Sequence, residues 1–164
     1  MVDMPRKARI NALGALHHII VRGIDRRKIF LMIPTVMVFF DRLGGILSDS
    51  KTACFAWAFM ANHLHLLLRT GTAPIATLMR RLLTGYAVSF NRRHRRQGHL
   101  FQNRYKSILC QEDLYLKELV RYIHLNPLRA GIVGELKELA AFPYCGHRAL
   151  MGKTERGTSL IVSS

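Results

Sequence analysis

The alternation of apolar and polar positions along the chain predicts short strands broken by longer helical stretches. Gly14–Arg22 is apolar, rich in β-branched residues and stops at Gly23, which reads as a strand with a turn over Gly23–Arg27. Lys28–Leu47 has helix length, and Ile29, Ile33, Val36, Phe39, Phe40, Leu43 and Leu47 recur at three- and four-residue steps. Pro34 fits there only near the first turn, or else it bends the helix. Thr52–Met60 and His63–Arg69 read as two strands joined by Ala61–Asn62, a hairpin-sized gap.

The second half continues the alternation. Ala73–Arg93 is a second helix with Leu78, Leu82, Ala87 and Phe90 on its buried side, and Leu100–Cys110 reads as a fourth strand. A third helix runs from about Asp113 to Asn126, its core stripe made by Leu116, Leu119, Val120 and Ile123. Glu112 and Asp113 suit the N-terminal end of its dipole, while Pro127 and Gly131 close it. The order β-α-β-β-α-β-α predicts an α+β fold: a ferredoxin-like antiparallel sheet with helices packed on one face. Residues 1–151 are expected to form a single domain, with 152–164 a loose C-terminal tail.

Charge narrows the function. Lys and Arg number 25 against 10 Asp and Glu, a formal net charge of +15, with a sequence pI near 10.7. Such a field attracts polyanions, nucleic acid before anionic membrane. Between Ser50 and Gln111 there is no acidic residue, yet ten cations fall there. That distribution suits a surface for a phosphate backbone rather than a generally soluble one. The apolar run Ile29–Phe40 is too short to span a bilayer, and the N-terminus lacks a signal-peptide core. Cys54, Cys110 and Cys145 are widely spaced and odd in number, as expected of reduced thiols, so a cytoplasmic protein is predicted.

Three segments carry candidate chemistry. In Asn62-His63-Leu64-His65 the strand period puts His63 and His65 on one face, where two imidazoles can hold one divalent cation. The ordinary alternative is a pair of structural histidines bonded to backbone. On the third helix Tyr122 and Asn126 lie one turn apart, about 100° round from the core stripe. Their ordinary alternative is a ring at the core margin and a cap before Pro127. Third, Asn91–Ser107 interleaves Arg92, Arg93, Arg95, Arg96, Arg104 and Lys106 with Phe101 and Tyr105, the composition wanted for phosphate contacts and base stacking.

Taken in order, these residues resemble the REP-associated tyrosine transposases, within the single-tyrosine HUH transposase superfamily. The likeness runs from Met4–Arg9 through His17–Gly23, Asn62–Leu68 and Leu100–Ser107 to Arg121–Val133, most of residues 4–150. It implies a metal-dependent DNA transposase, an endonuclease and strand transferase acting on single strands or hairpins through a 5′-phosphotyrosine. By resemblance the nucleophile falls on Tyr122, the metal pair on His63 and His65, and a third ligand on Asn126, where the insertion-sequence branch carries glutamine. The metal implied is Mg or Mn, and imidazole ligands favour Mn. DNA contacts are expected from the 92–106 segment and from a basic arm of Arg6, Lys7 and Arg9. The resemblance leans to a monomer, with a homodimer the superfamily's other form. Ala61 replaces a usual proline, and Leu31–Val38 is apolar where the family is acidic. A non-catalytic DNA-binding relative and a water-using nuclease are the rival readings.

Overall fold

The computed structural model describes residues 13–31, 33–110 and 115–150. Its four strands are β1 (Leu16–Arg22), β2 (Ala53–Met60), β3 (His63–Arg69) and β4 (Lys106–Cys110), in one antiparallel sheet of order β2-β3-β1-β4. Helices α1 (Ile33–Ser50) and α2 (Ile75–Arg93) fall between strands as expected. They are followed by α3 (Leu116–His124), α4 (Asn126–Arg129), α5 (Leu136–Ala141) and α6 (His147–Leu150). The α+β class and the antiparallel sheet match the sequence expectation.

The helices of the β-α-β-β-α-β unit share one face of the sheet. Leu64, Leu66 and Leu68 of β3 meet α1 and α2 there, through Phe39, Leu43, Leu78, Leu82 and Tyr86. The opposite face is covered too, which corrects the expectation of helices on one face alone. Leu16, Ala56, Ala58, Met60 and Leu67 pack there with Ile123 of α3 and Leu139 of α5. The cause is in the strands: β2 is apolar on both sides and β3 adds Leu67 to the second, so each side needs a cover. A shift of register between Cys54 and Ala56 lets Cys54 and Trp57 face one layer while Ala56 and Ala58 face the other.

Other departures have local causes. The first helix begins at Ile33, because Pro34 is accepted only in a first turn. Residues 28–31 instead run to the core as irregular chain. There Ile29 and Phe30 donate backbone hydrogen bonds to Ala61 and the Tyr86 hydroxyl bonds the Ile29 carbonyl. The fourth strand starts at Lys106 rather than Leu100. Phe101 pairs alone with Gly23, and Asn103 takes a left-handed conformation (φ 51°) that carries the chain off the ladder.

Beyond α5 the chain lies along the free edge of β2. Phe59 N–H donates to the Tyr144 carbonyl at 2.7 Å, and Gly146 N–H donates to the Trp57 carbonyl at 2.8 Å. A strap of this kind covers an edge otherwise open to pairing. Helices α5 and α6 were not expected from the sequence. The basic arm at Arg6, Lys7 and Arg9, the acidic residues Glu112 and Asp113, and the 152–164 tail lie outside the described residues.

Candidate active site

Sheet register assembles the site on the face beneath α3. β1 pairs with β3 so that Arg22 lies opposite His63, Ile20 opposite His65 and His18 opposite Leu67. Opposed residues share a face, so His18, Ile20 and Arg22 line the same side as His63 and His65. β4 adds Lys106 opposite Ile20 and Ile108 opposite His18. Above them α3 packs across β2 and β3, which brings Tyr122 over the histidines.

The predicted trio of His63, His65 and Tyr122 is brought together with Asn126. The rings of His63 and His65 are 5.5 Å apart, centroid to centroid. Tyr122 meets His65 edge-on at 6.3 Å and His18 at 6.1 Å, while remaining 43% exposed. The Asn126 side chain hydrogen-bonds His63. Asn126 opens the short helix α4 rather than closing α3, because the chain turns at Leu125 before Pro127. His63 is also bonded through Nδ1 to the Asn62 side-chain oxygen at 2.8 Å.

Two neighbours were missed from the sequence. His18 is buried, and its Nε2 lies 3.0 Å from His65 Nδ1 with the two rings stacked at 5.3 Å. Arg129 sets its guanidinium 4.7 Å from the centre of the Tyr122 ring, a cation–π contact. The available signal was an imidazole of matching strand parity on the first strand, but only pairing register says which strands adjoin.

Electrostatics keep these imidazoles neutral. Burial pushes His65 down to about 3, aided by the nearby His18, His63 and Arg22. His63 is lowered by burial and by Arg22, against the opposing effect of its Asn126 hydrogen bond. Burial and then Lys106 lower His18. Unprotonated imidazoles are what a metal requires of its ligands. Among the described residues no three His, Cys, Asp or Glu side chains come together to hold a metal. Two imidazole nitrogens and the Asn126 amide oxygen are therefore the donor set available. That set leaves coordination positions for phosphate oxygen and water.

The expected DNA-contacting residues fall into two roles. Arg92, Arg93, Arg95 and Arg104 are exposed, as is Lys106. Arg96 is instead tied into the loop: its guanidinium donates to Asn91 Oδ1 at 3.2 Å and to the His99 carbonyl at 2.8 Å. Phe101 and Tyr105 are half-buried, leaning on the core, and line a cleft of about 640 Å³ between α2 and the 98–105 loop, with Arg80 and Arg104 among its walls. A second groove of about 630 Å³ runs beside Tyr122 between β4 and α3, with Tyr115, Arg121 and Arg129 on its sides.

Comparison with known proteins agrees with this architecture. Residues 13–126 match the model of the family described as IS200-like transposase. Among solved structures, a REP-associated tyrosine transposase bound to a REP hairpin superposes with a TM-score of 0.72 at 17% identity. That alignment covers 95% of this chain and 88% of the other, and it shows a shared fold. A putative transposase from Deinococcus radiodurans gives a TM-score of 0.49 at 18% identity, covering 72% of this chain and 95% of that one. No curated protein matches in sequence.

Proposed function

This chain belongs to the IS200-like transposase family, and from that premise we propose that it cuts and rejoins single DNA strands through a covalent tyrosine intermediate. The observation that carries the reading is the half-exposed phenol of Tyr122 set over the His63–His65 pair, with Asn126 on the same ring cluster. A structural tyrosine at a core margin has no need of that placement. The likeness to a hairpin-bound REP-associated transposase supports DNA, single-stranded or folded into hairpins, as the partner.

In this reading His63, His65 and Asn126 would hold a divalent cation, Mn or Mg, which when bound would supply Lewis acidity and orientation for the scissile phosphate. The Tyr122 oxygen attacks phosphorus. The bond from phosphorus to the 3′ oxygen breaks, the 3′-hydroxyl leaves with a proton, and a 5′-phosphotyrosine remains. Attack by another strand's 3′-hydroxyl reverses the step, so no nucleotide cofactor is consumed. Phenol titrates near 10, so Tyr122 gives up its proton as it attacks. Arg129 holds the ring, and Arg22 faces the place where phosphate charge must sit. The strand lies along the groove between β4 and α3, and the exposed cations at 92–106 grip its backbone.

A denaturing gel of the protein with labelled hairpin DNA and Mn tests this. A DNA-shifted protein band that needs metal and vanishes in Tyr122→Phe, with DNA binding retained, is the expected result. Tight binding without an adduct across a range of hairpins would favour the non-catalytic binder, and cleavage surviving Tyr122→Phe would make water the nucleophile.

A further inference from the structure

Each imidazole of the His63–His65 pair has its Nδ1 engaged by a second side chain. His63 Nδ1 meets Asn62 Oδ1 at 2.8 Å, and His65 Nδ1 meets His18 Nε2 at 3.0 Å. An amide oxygen only accepts, so His63 donates from Nδ1 to Asn62 and leaves Nε2 unprotonated; the Asn126 side chain also bonds this ring and would trade that bond for the shared cation. The Asn62 amide is itself turned this way, since its Nδ2 points to the Arg26 carbonyl 3.5 Å away. The 61–62 turn is anchored too: Gly23 N–H donates to the Asn62 carbonyl at 2.8 Å.

The His18–His65 contact needs one donor and one acceptor. His18 is 5% exposed and cannot swing away into water. Its place is set by β1–β3 pairing, one diagonal step from His65 on the shared face. Its neighbour His17 points to the other face, bonded to Ser107, and is not available for the role. If His65 donates from Nδ1, both members of the pair offer Nε2 toward the same face.

We infer that Asn62 and His18 are a positioning pair that holds His63 and His65 as Nδ1–H tautomers, so that a divalent cation is met by Nε2 of both. The inference rests on the metal reading given above. Partners of this kind orient the ring and raise its basicity as a ligand. They also remove a choice that would otherwise cost affinity, because a free imidazole prefers the opposite tautomer. His18 must then carry its own hydrogen on Nδ1 and accept through Nε2.

Imidazole nitrogen resonances of the metal-free, full-length protein at pH 7.5 read the tautomers directly. The wild type should show His63 and His65 with hydrogen on Nδ1. His18→Ala should shift His65 toward the Nε2–H form and leave His63 alone, and Asn62→Ala should do the reverse. Titration with Mn²⁺, followed by its paramagnetic signal, should find each alanine variant about 10- to 100-fold weaker. His18→Gln restores an accepting oxygen and should recover much of that loss, which simple packing damage would not allow. An Nε2–H form of either histidine in the wild type would overturn the inference. So would unchanged Mn²⁺ affinity in both alanine variants. Wild-type protein that has both expected tautomers yet binds no Mn²⁺ would sink the metal reading instead.

Discussion

The glycine at position 146 offers a sharp test of how the tyrosine helix is seated. A Cβ added there would lie 2.5 Å from His124 Nε2 and 3.1 Å from Trp57 Nε1. The first distance is shorter than real Cβ contacts allow, and neither ring has room to give: His124 is 3% exposed and Trp57 2%. Gly146 cannot back away either, since its N–H is bonded to the Trp57 carbonyl. Overpacking of this kind costs about 1–3 kcal/mol, so Gly146→Ala should lower Tm by roughly 2–4 °C for each kcal/mol in a domain this size. The same substitution at Gly45 should do the opposite. Gly45 lies inside α1 with nothing within 4 Å of its added Cβ, and replacing a mid-helix glycine by alanine gains about 1 kcal/mol. Urea unfolding followed by far-ultraviolet circular dichroism compares the pair without relying on Trp57 fluorescence, which sits at the mutated site. A Gly146→Ala protein as stable as wild type would refute the account of the strap. His124 is two residues from Tyr122, so the destabilised variant should also form less covalent adduct.

Three further outcomes are expected. His65 and His124 are held neutral by burial, down to about 3 and about 4, against roughly 6.5 when unfolded. The unfolded chain therefore binds more protons below 6.5. Stability is full above that pH and falls as pH drops, by about 2 kcal/mol per residue between pH 6.5 and 5; a Tm that stays flat from pH 7.5 to 5 would contradict this. Arg95→Ala should weaken DNA binding across all sequences and cut the salt slope by about 1. Arg96→Ala should in addition lower Tm, since its guanidinium holds the loop to Asn91 and His99. Among the thiols, burial raises Cys54 to about 12 and Cys145 to about 11, whereas Cys110 is only half-buried. Native protein should react with a maleimide at Cys110 first, and mass mapping that found Cys54 labelled earlier would be inconsistent with the core packing.

Much of this protein is local information. Periodicity alone placed the two β-hairpin strands, the helix carrying Arg80 and Arg81, and the face shared by His63 and His65, because the strand period of two and the helical period of 3.6 act between near neighbours. The chain composition told of a polyanion partner for a similar reason, since charge adds regardless of fold. The shoulder position of Tyr122 on its helix was legible too. Helix and strand ends were less so: Pro34 and Asn103 moved two boundaries through backbone constraints that a hydrophobic pattern does not register.

What the sequence left open was settled by contacts between distant segments. Nothing within Leu16–Arg22 says that this strand lies between β3 and β4, or that Ile20 comes to rest opposite His65. A slip of one residue would have turned His17 rather than His18 toward the site. The coverage of both sheet faces, the strap at Tyr144–Gly146 and the seat of Arg129 on the Tyr122 ring have the same origin. Each depends on which apolar faces must be buried against which others. That choice is made by the whole core at once, over separations along the chain that no local pattern can span.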